Sequence, residues 1–390
     1  MISVKKVKDP NKTPSYHVTA PYGWMNDPCA PGFDEETQKY HLFYQWNPSS
    51  CEWGNMSWGH ISSDDLIQWK YEPKQPALSP DQPYDKEGVF TGCMVPTLID
   101  GQRGGMTIFY SSVCKLPFSW DALPYPRDAA GISVASSTKT RGTLQKSDAN
   151  PIVKGEPEGI SVTGFRDPFV APWPALSKAR NVSNTMYAVV AGGVKDEGPG
   201  FFLYEVEAND MTQWRYIGML IKTPVRWRPN KHWNGDAGVN WECPNFLTLH
   251  SNNAERHFLL MGSEGGEDRG HILTQGIRQR QLPQRIPRWC MWMCGELQSD
   301  ITGVKFDPKF SGMLDHGCFY AASTFHDPKH DRKVLWGWII EEDVTVERCR
   351  AKGWTGCLAI PREIFLLELS QVEDTVRSHL KDVACLEATG

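Results

Sequence analysis

The sequence predicts an all-β protein, a five-bladed β-propeller, on three observations. Short runs rich in Val, Ile, Phe, Tyr and Trp dominate it, among them YHLFYQW, MTIFYSSV, MYAVVAGG, HFLLMGS, CFYAASTF and VLWGWII. Gly, Pro, Asn and Asp separate these runs, the punctuation of an antiparallel meander rather than of alternating strand and helix. The chain also echoes itself: Asp65-Leu66-Ile67-Gln68-Trp69-Lys70-Tyr71 returns in type as Asp210-Met211-Thr212-Gln213-Trp214-Arg215-Tyr216. Finally, NDP at Asn26, RDP at Arg166 and ECP at Glu242 read as equivalent positions in different repeats. Radially repeated four-stranded sheets explain both echoes, and about five blades of roughly 40 to 70 residues fit between His17 and Arg362. A large β-sandwich or barrel is the alternative. The organisation expected is an N-terminal extension over residues 1–16, one propeller domain over 17–365 and a short tail over 366–390.

Composition narrows the function. The 390 residues are 40% apolar and 22% charged, the balance of a well-buried globule, and no run approaches the roughly 18 to 20 apolar residues of a membrane span. A formal charge of −5 leaves no basic stripe, so nucleic acid is not the expected partner and a neutral small molecule is. After Met1 the chain turns polar and proline-bearing without the apolar core of a secretory signal, so a cytoplasmic location is expected. Eleven cysteines, an odd number, then read as buried thiols, and Cys290 and Cys294 lack the further ligands of a zinc site; no metal or cofactor is implied. Asn55, within one of the three glycosylation sequons, is expected to be buried.

The chemistry concentrates in three motifs, WMNDPCA from Trp24, FRDPF from Phe165 and WECPNF from Trp241, each holding one carboxylate beside aromatic residues. Asp27, Asp167 and Glu242 are therefore the candidate catalytic residues. Two carboxyls flanking a scissile bond, one ionised and one protonated, are the usual minimum for cleaving a glycosidic linkage. The inner strand of every propeller blade points toward the axis, so the three are expected to meet there although 140 and 75 positions separate them.

Nine ordered strings now resemble glycoside hydrolase family 32, the invertases, inulinases and fructosyltransferases, over nearly the whole chain: WMNDP, FYQWNP, WGNMSWGH, FTG, FRDP, ECP, FYAASTF, LWGW and GCLAIPRE. The cysteine after NDP resembles the fungal branch. The resemblance implies a retaining β-fructofuranosidase or fructosyltransferase acting on sucrose or short fructans. Asp27 would be the nucleophile, Glu242 the acid and base, and Asp167 the stabiliser of sugar hydroxyls. Trp241, Cys243 and Pro244 are expected to give Glu242 a dry environment that raises its pKa, while Asn26 donates to an ionised Asp27. By the same resemblance Asn26, Gln45, Trp53, Trp58, Phe90, Thr91, Arg166, Cys243 and Tyr320 bind the substrate, His60 is structural, and Arg166 alternatively pairs with Asp27 or Asp167.

Relatives normally continue into a β-sandwich after the IPRE segment, whereas Glu363 to Gly390 has room for a last strand and a short helix. The chain is thus expected to lack that sandwich, and a homodimer would cover the exposed flank. These two features support a second reading, because fold does not dictate reaction. In it the propeller serves fungal natural-product biosynthesis as a hetero-Diels–Alderase or cyclase that binds an apolar polyene and a quinone methide. An inactive sugar-binding propeller is the third.

Overall fold

The strand-like runs become the blades of a ring. The computed structural model describes residues 13–72, 75–137, 144–229, 234–266, 288–300, 303–341 and 344–368. Most of the expected N-terminal extension, with the sequon at Asn11, and the tail beyond residue 368 lie outside the described residues. Among the described residues the strands form five sheets. Blade one holds β1 (Gly23–Asp34), β2 (Lys39–Asn47), β3 (Ser57–Ser63) and β4 (Trp69–Tyr71). Blade two holds β5 (Gly88–Val95), β6 (Thr107–Val113), β7 (Ala130–Ser137) and β8 (Leu144–Lys146). Blade three is β9 (Val162–Pro172), β10 (Thr185–Val194), β11 (Gly198–Glu207) and β12 (Asp210–Lys222). Blade four is β13 (Asn240–His250), β14 (Glu255–Glu264), β15 (Trp289–Asp300) and β16 (Gly303–Met313). Blade five begins with β17 (Phe319–Asp327) and β18 (Arg332–Ile339).

Within each blade the strands form an antiparallel meander, as the turn residues predict. The ring closes differently. After helix α2 (Val346–Lys352), β19 (Trp354–Thr355) runs parallel to β1, with Trp354 opposite Gly23 and Thr355 opposite Trp24. The chain then returns to β18 through β20 (Cys357–Leu358) and β21 (Arg362–Ile364). One short segment thereby ties the last blade to the first, helped by a 2.8 Å bond from the Leu358 amide to the Val18 carbonyl. Such a tie closes the ring of sheets, as radial repetition of blades requires.

The internal echo is structural. Asp65 and Asp210 both accept backbone amides two residues on, and the indoles of Trp69 and Trp214 each donate 3.1 Å bonds to the carbonyl three residues back, at Leu66 and Met211. Both repeats lead into outer strands, β4 and β12. Aromatic pairs fill the seams between blades: Trp58 on Tyr110, Phe109 on Trp214, Phe201 on Trp241 and Trp69 on Trp336. Five tryptophans are spent in these pairs, since each large ring removes much apolar area from water. Helix α1 (Pro174–Arg180) starts on a proline and ends on Asn181 in the left-handed region, the pairing expected of helix ends. Asn55, expected to be buried, is exposed, because it sits on the loop before β3 at φ 46°.

Candidate functional site

Each of the five inner strands carries a register shift at one level of the ring. The shifts fall between Met25 and Pro28, Val89 and Gly92, Arg166 and Pro168, Glu242 and Asn245, and Tyr320 and Ser323. A β-bulge adds an unpaired residue and re-aims its neighbours. In three blades the extra residue is left-handed: Asp167 at φ 63°, Cys243 at 48° and Ala321 at 53°. Holding a non-glycine residue there costs roughly 1–3 kcal/mol, which the surrounding sheet must offset. Proline follows the bulge residue in blades one, three and four; lacking an N–H, it suits a point where the ladder is interrupted.

These bulges bring together the residues that the motifs single out. Arg166, Glu242 and Tyr320 hold the same place, each immediately before its left-handed residue. Arg166 Nη2 donates to Glu242 Oε1 at 2.7 Å from one side, and the Tyr320 hydroxyl donates to Oε2 at 2.7 Å from the other. Cys243 ties the aspartates. Its amide donates to Asp167 Oδ2 at 3.0 Å, and its thiol lies 3.4 Å from Asp27 Oδ2 and 3.7 Å from Asp167 Oδ2. Asn26 Nδ2 donates to Asp27 Oδ1 at 3.0 Å and is itself held by the Trp24 indole. Thr91 donates to the other Asp27 oxygen, and Gln45 donates to Thr91. Ser111 Oγ receives the Asp167 amide at 2.6 Å.

Two substrate-binding expectations divide. Trp53 stands at the rim, 51% exposed and edge-on to Phe90 at 5.8 Å. Trp58 is a correction: it is wholly buried, packs between Phe43 and Tyr110, and gives its indole N–H to the Phe90 carbonyl. It props Phe90 from behind, because it falls on the seam-facing side of β3. His60 is structural as expected, stacked on Phe43 at 4.1 Å.

The electrostatics also differ from the sequence expectation. Burial, reinforced by the Glu242 charge, pushes Asp27 up, and the donors Thr91, Asn26 and Cys243 pull it back. Burial with the charges of Glu242 and Asp27 carries Asp167 up to about 7 against the pull of Arg166. Burial also opposes ionisation of Glu242, but Arg166, Arg288 and the Tyr320 hydroxyl outweigh it and hold Glu242 below its ordinary value. The dry cover expected of Trp241 is absent because successive strand residues face opposite ways. Its indole packs on Phe201 and donates to the Ala237 carbonyl. Arg166 pairs with neither aspartate: its second partner is Glu264 Oε2, at 2.6 Å.

Glu264 and Phe118 are missed by the sequence reading. Phe118 lies 5.4 Å from Phe90 with the Arg166 guanidinium over its ring, yet it belongs to a loop without periodicity. Glu264 ends an ordinary strand, and only its pairing opposite Asn240 places it at the site. A separate surface groove, lined by Lys178, Arg256, His257, Cys294 and Phe310, lies away from these carboxylates.

The profile of the Glycosyl hydrolases family 32 N-terminal domain matches residues 17–377. A β-fructofuranosidase, insoluble isoenzyme 1, of Daucus carota is 30% identical over 94% of this chain and 55% of its own length. β-Fructofuranosidase 1 of Zea mays is 31% identical over 90% of this chain and 48% of its own. The chain spans about half the length of the curated relatives it matches. An Aspergillus kawachii β-fructofuranosidase structure, complexed with glycerol, superposes with a TM-score of 0.80 at 26% identity, covering 95% of this chain and 63% of that one. A fructosyltransferase from A. japonicus, at 24% identity and TM-score 0.76, shares the fold.

Proposed function

Since the chain belongs to glycosyl hydrolase family 32 by its N-terminal domain, we propose that it is a retaining β-fructofuranosidase or fructosyltransferase acting on sucrose or short fructans. The observation that carries this reading is the convergence of Asp27, Asp167 and Glu242, from blades one, three and four, around the Cys243 bulge. Asp27 attacks the anomeric carbon of the fructosyl unit while the bond to the bridging oxygen breaks. Glu242 delivers its proton to that oxygen, and the leaving sugar departs. Water or an acceptor sugar then gives its proton to Glu242, attacks the same carbon and frees Asp27. Asp167 accepts from the sugar hydroxyls.

The local partners suit these roles. Three donors converge on Asp27 and favour its anion, which a nucleophile needs. Gln45 Oε1 and Arg166 Nη1 are buried without a hydrogen-bond partner among the described residues, so a bound hydroxyl would satisfy them. Arg166, Arg288 and Tyr320 hold Glu242 below its ordinary value in the free protein. A sugar that engages Arg166 would weaken that pairing and let Glu242 take up the proton it must deliver. Nothing in the relatives named above favours the cycloaddition reading.

The test is release of glucose and fructose from sucrose, 1-kestose and inulin across pH 4 to 7, with Asp27→Asn beside the wild type. Turnover that falls by several orders of magnitude in Asp27→Asn is expected, since the covalent step is lost. A folded wild type without turnover, or an Asp27→Asn variant that keeps it, overturns the proposal.

A further inference from the structure

One nitrogen of Arg166 serves two carboxylates. Nη2 lies 2.7 Å from Glu242 Oε1 and 2.6 Å from Glu264 Oε2, and it carries one N–H for each. Glu264 is not an accidental neighbour. It ends β14 directly across from Asn240, whose amide adds a 3.0 Å bond to the same Glu264 oxygen. Thr163 donates to Asn240 Oδ1 at 3.1 Å, which turns the amide so that its NH2 faces Glu264. The carboxylate is buried, as is Arg166.

This arrangement bears on a difficulty in the acid role of Glu242. A buried carboxylate paired alone with a guanidinium is held as an anion, and an anion has no proton to give. We propose that Glu264 is a positioning residue that shares Arg166 and so leaves Glu242 able to carry a proton, an inference that rests on the acid/base reading of Glu242 above. The other groups facing the pair are Arg288 ahead of β15, Tyr320 on β17, Asp27 on β1, Asp167 on β9 and Cys243 on β13. The two glutamates thus share the charge of both guanidiniums, with the aspartates as further anions nearby. Neutralising Glu264 leaves both guanidiniums to fewer anions, which lowers the Glu242 pKa. Two glutamates bonded to one guanidinium nitrogen should titrate as a pair, in two steps that belong to both.

The experiment is a carboxyl NMR titration of the full chain carrying δ-13C glutamate, with the Glu242 resonance identified by its loss in Glu242→Gln. In Glu264→Gln the Glu242 midpoint should fall by about one pH unit or more. Glu264→Asp should return it toward the wild type, and the basic limb of kcat/KM on sucrose should move with it. Asn240→Ser, which loosens Glu264 without changing charge, should shift the midpoint in the same direction by less, and it serves if Glu264→Gln does not fold. An unmoved or raised Glu242 midpoint in a folded variant overturns the proposal. A shifted midpoint without sucrose turnover would sink the fructosidase reading and leave the shared arginine standing; turnover without a shift would do the reverse.

Discussion

The Tyr320 hydroxyl donates to Glu242 Oε2 at 2.7 Å, reaching from the inner strand of blade five to that of blade four. With Arg166 on the opposite oxygen, Glu242 is held from both sides by the residues that occupy its own position in the flanking blades. A bulge repeated around the ring therefore supplies both the carboxylate and the groups that tune it.

Tyr320→Phe keeps the ring and removes one donor from the ionised form of Glu242. A hydrogen bond to the charged form lowers a carboxyl pKa, so its loss raises the pKa. The basic limb of kcat/KM on sucrose should move to higher pH, with kcat/KM at the optimum down about tenfold, as for a lost bond to a charged group of ~1.5 kcal/mol. A pH–rate profile superimposable on the wild type would contradict this.

Glu242→Gln separates proton donation from nucleophilic attack. On sucrose the loss should be about 10²- to 10⁴-fold, the usual worth of a general acid. On p-nitrophenyl β-fructofuranoside, whose leaving oxygen needs little protonation, fructosylation should lose far less. Steady-state and burst kinetics on the two substrates check it, and equal losses would deny Glu242 the acid role.

Trp53 and Trp58 stand close in the sequence but should behave oppositely. Trp53→Ala, at the half-exposed rim, should change KM and leave the Tm within a degree or two. Trp58→Ala empties a buried site and should cost about 3–5 kcal/mol, seen as a large drop in Tm. Thermal melts beside Michaelis–Menten curves decide between the two patterns.

His41 Nδ1 and His60 Nε2 lie 2.9 Å apart in blade one. Burial depresses both, and with the His41 neighbour takes His60 down to about 3. A histidine depressed in the fold adds stability that is present above its unfolded value, near 6.5, and is lost as pH falls toward the folded one. Relative to His60→Gln, which cannot gain this proton, the wild type should be more stable at pH 7 and lose that margin by pH 4. Melting curves of the two proteins over this range test it; a margin independent of pH would show that the pair does not titrate this way.

The blade pattern and the place of the three carboxylates are legible in the sequence because their causes are local. Strand runs alternate with turn residues, the echoed Asp and Trp make the same short-range bonds in β4 and β12, and proline marks the interrupted ladder beside Asp27, Asp167 and Cys243. Glu264, Phe118 and the true partners of Arg166 are not legible, because no local signal distinguishes them.

By itself, then, the sequence determined that this chain forms repeated antiparallel sheets and that the NDP, RDP and ECP motifs carrying Asp27, Asp167 and Glu242 occupy matching places within them. Tertiary structure alone decided which of these carboxyls is pushed up and which is held down. Arg166 reaches Glu242 across 76 positions and Glu264 across 98, and Coulombic and desolvation energies depend on distance and burial in space, which sequence separation does not encode.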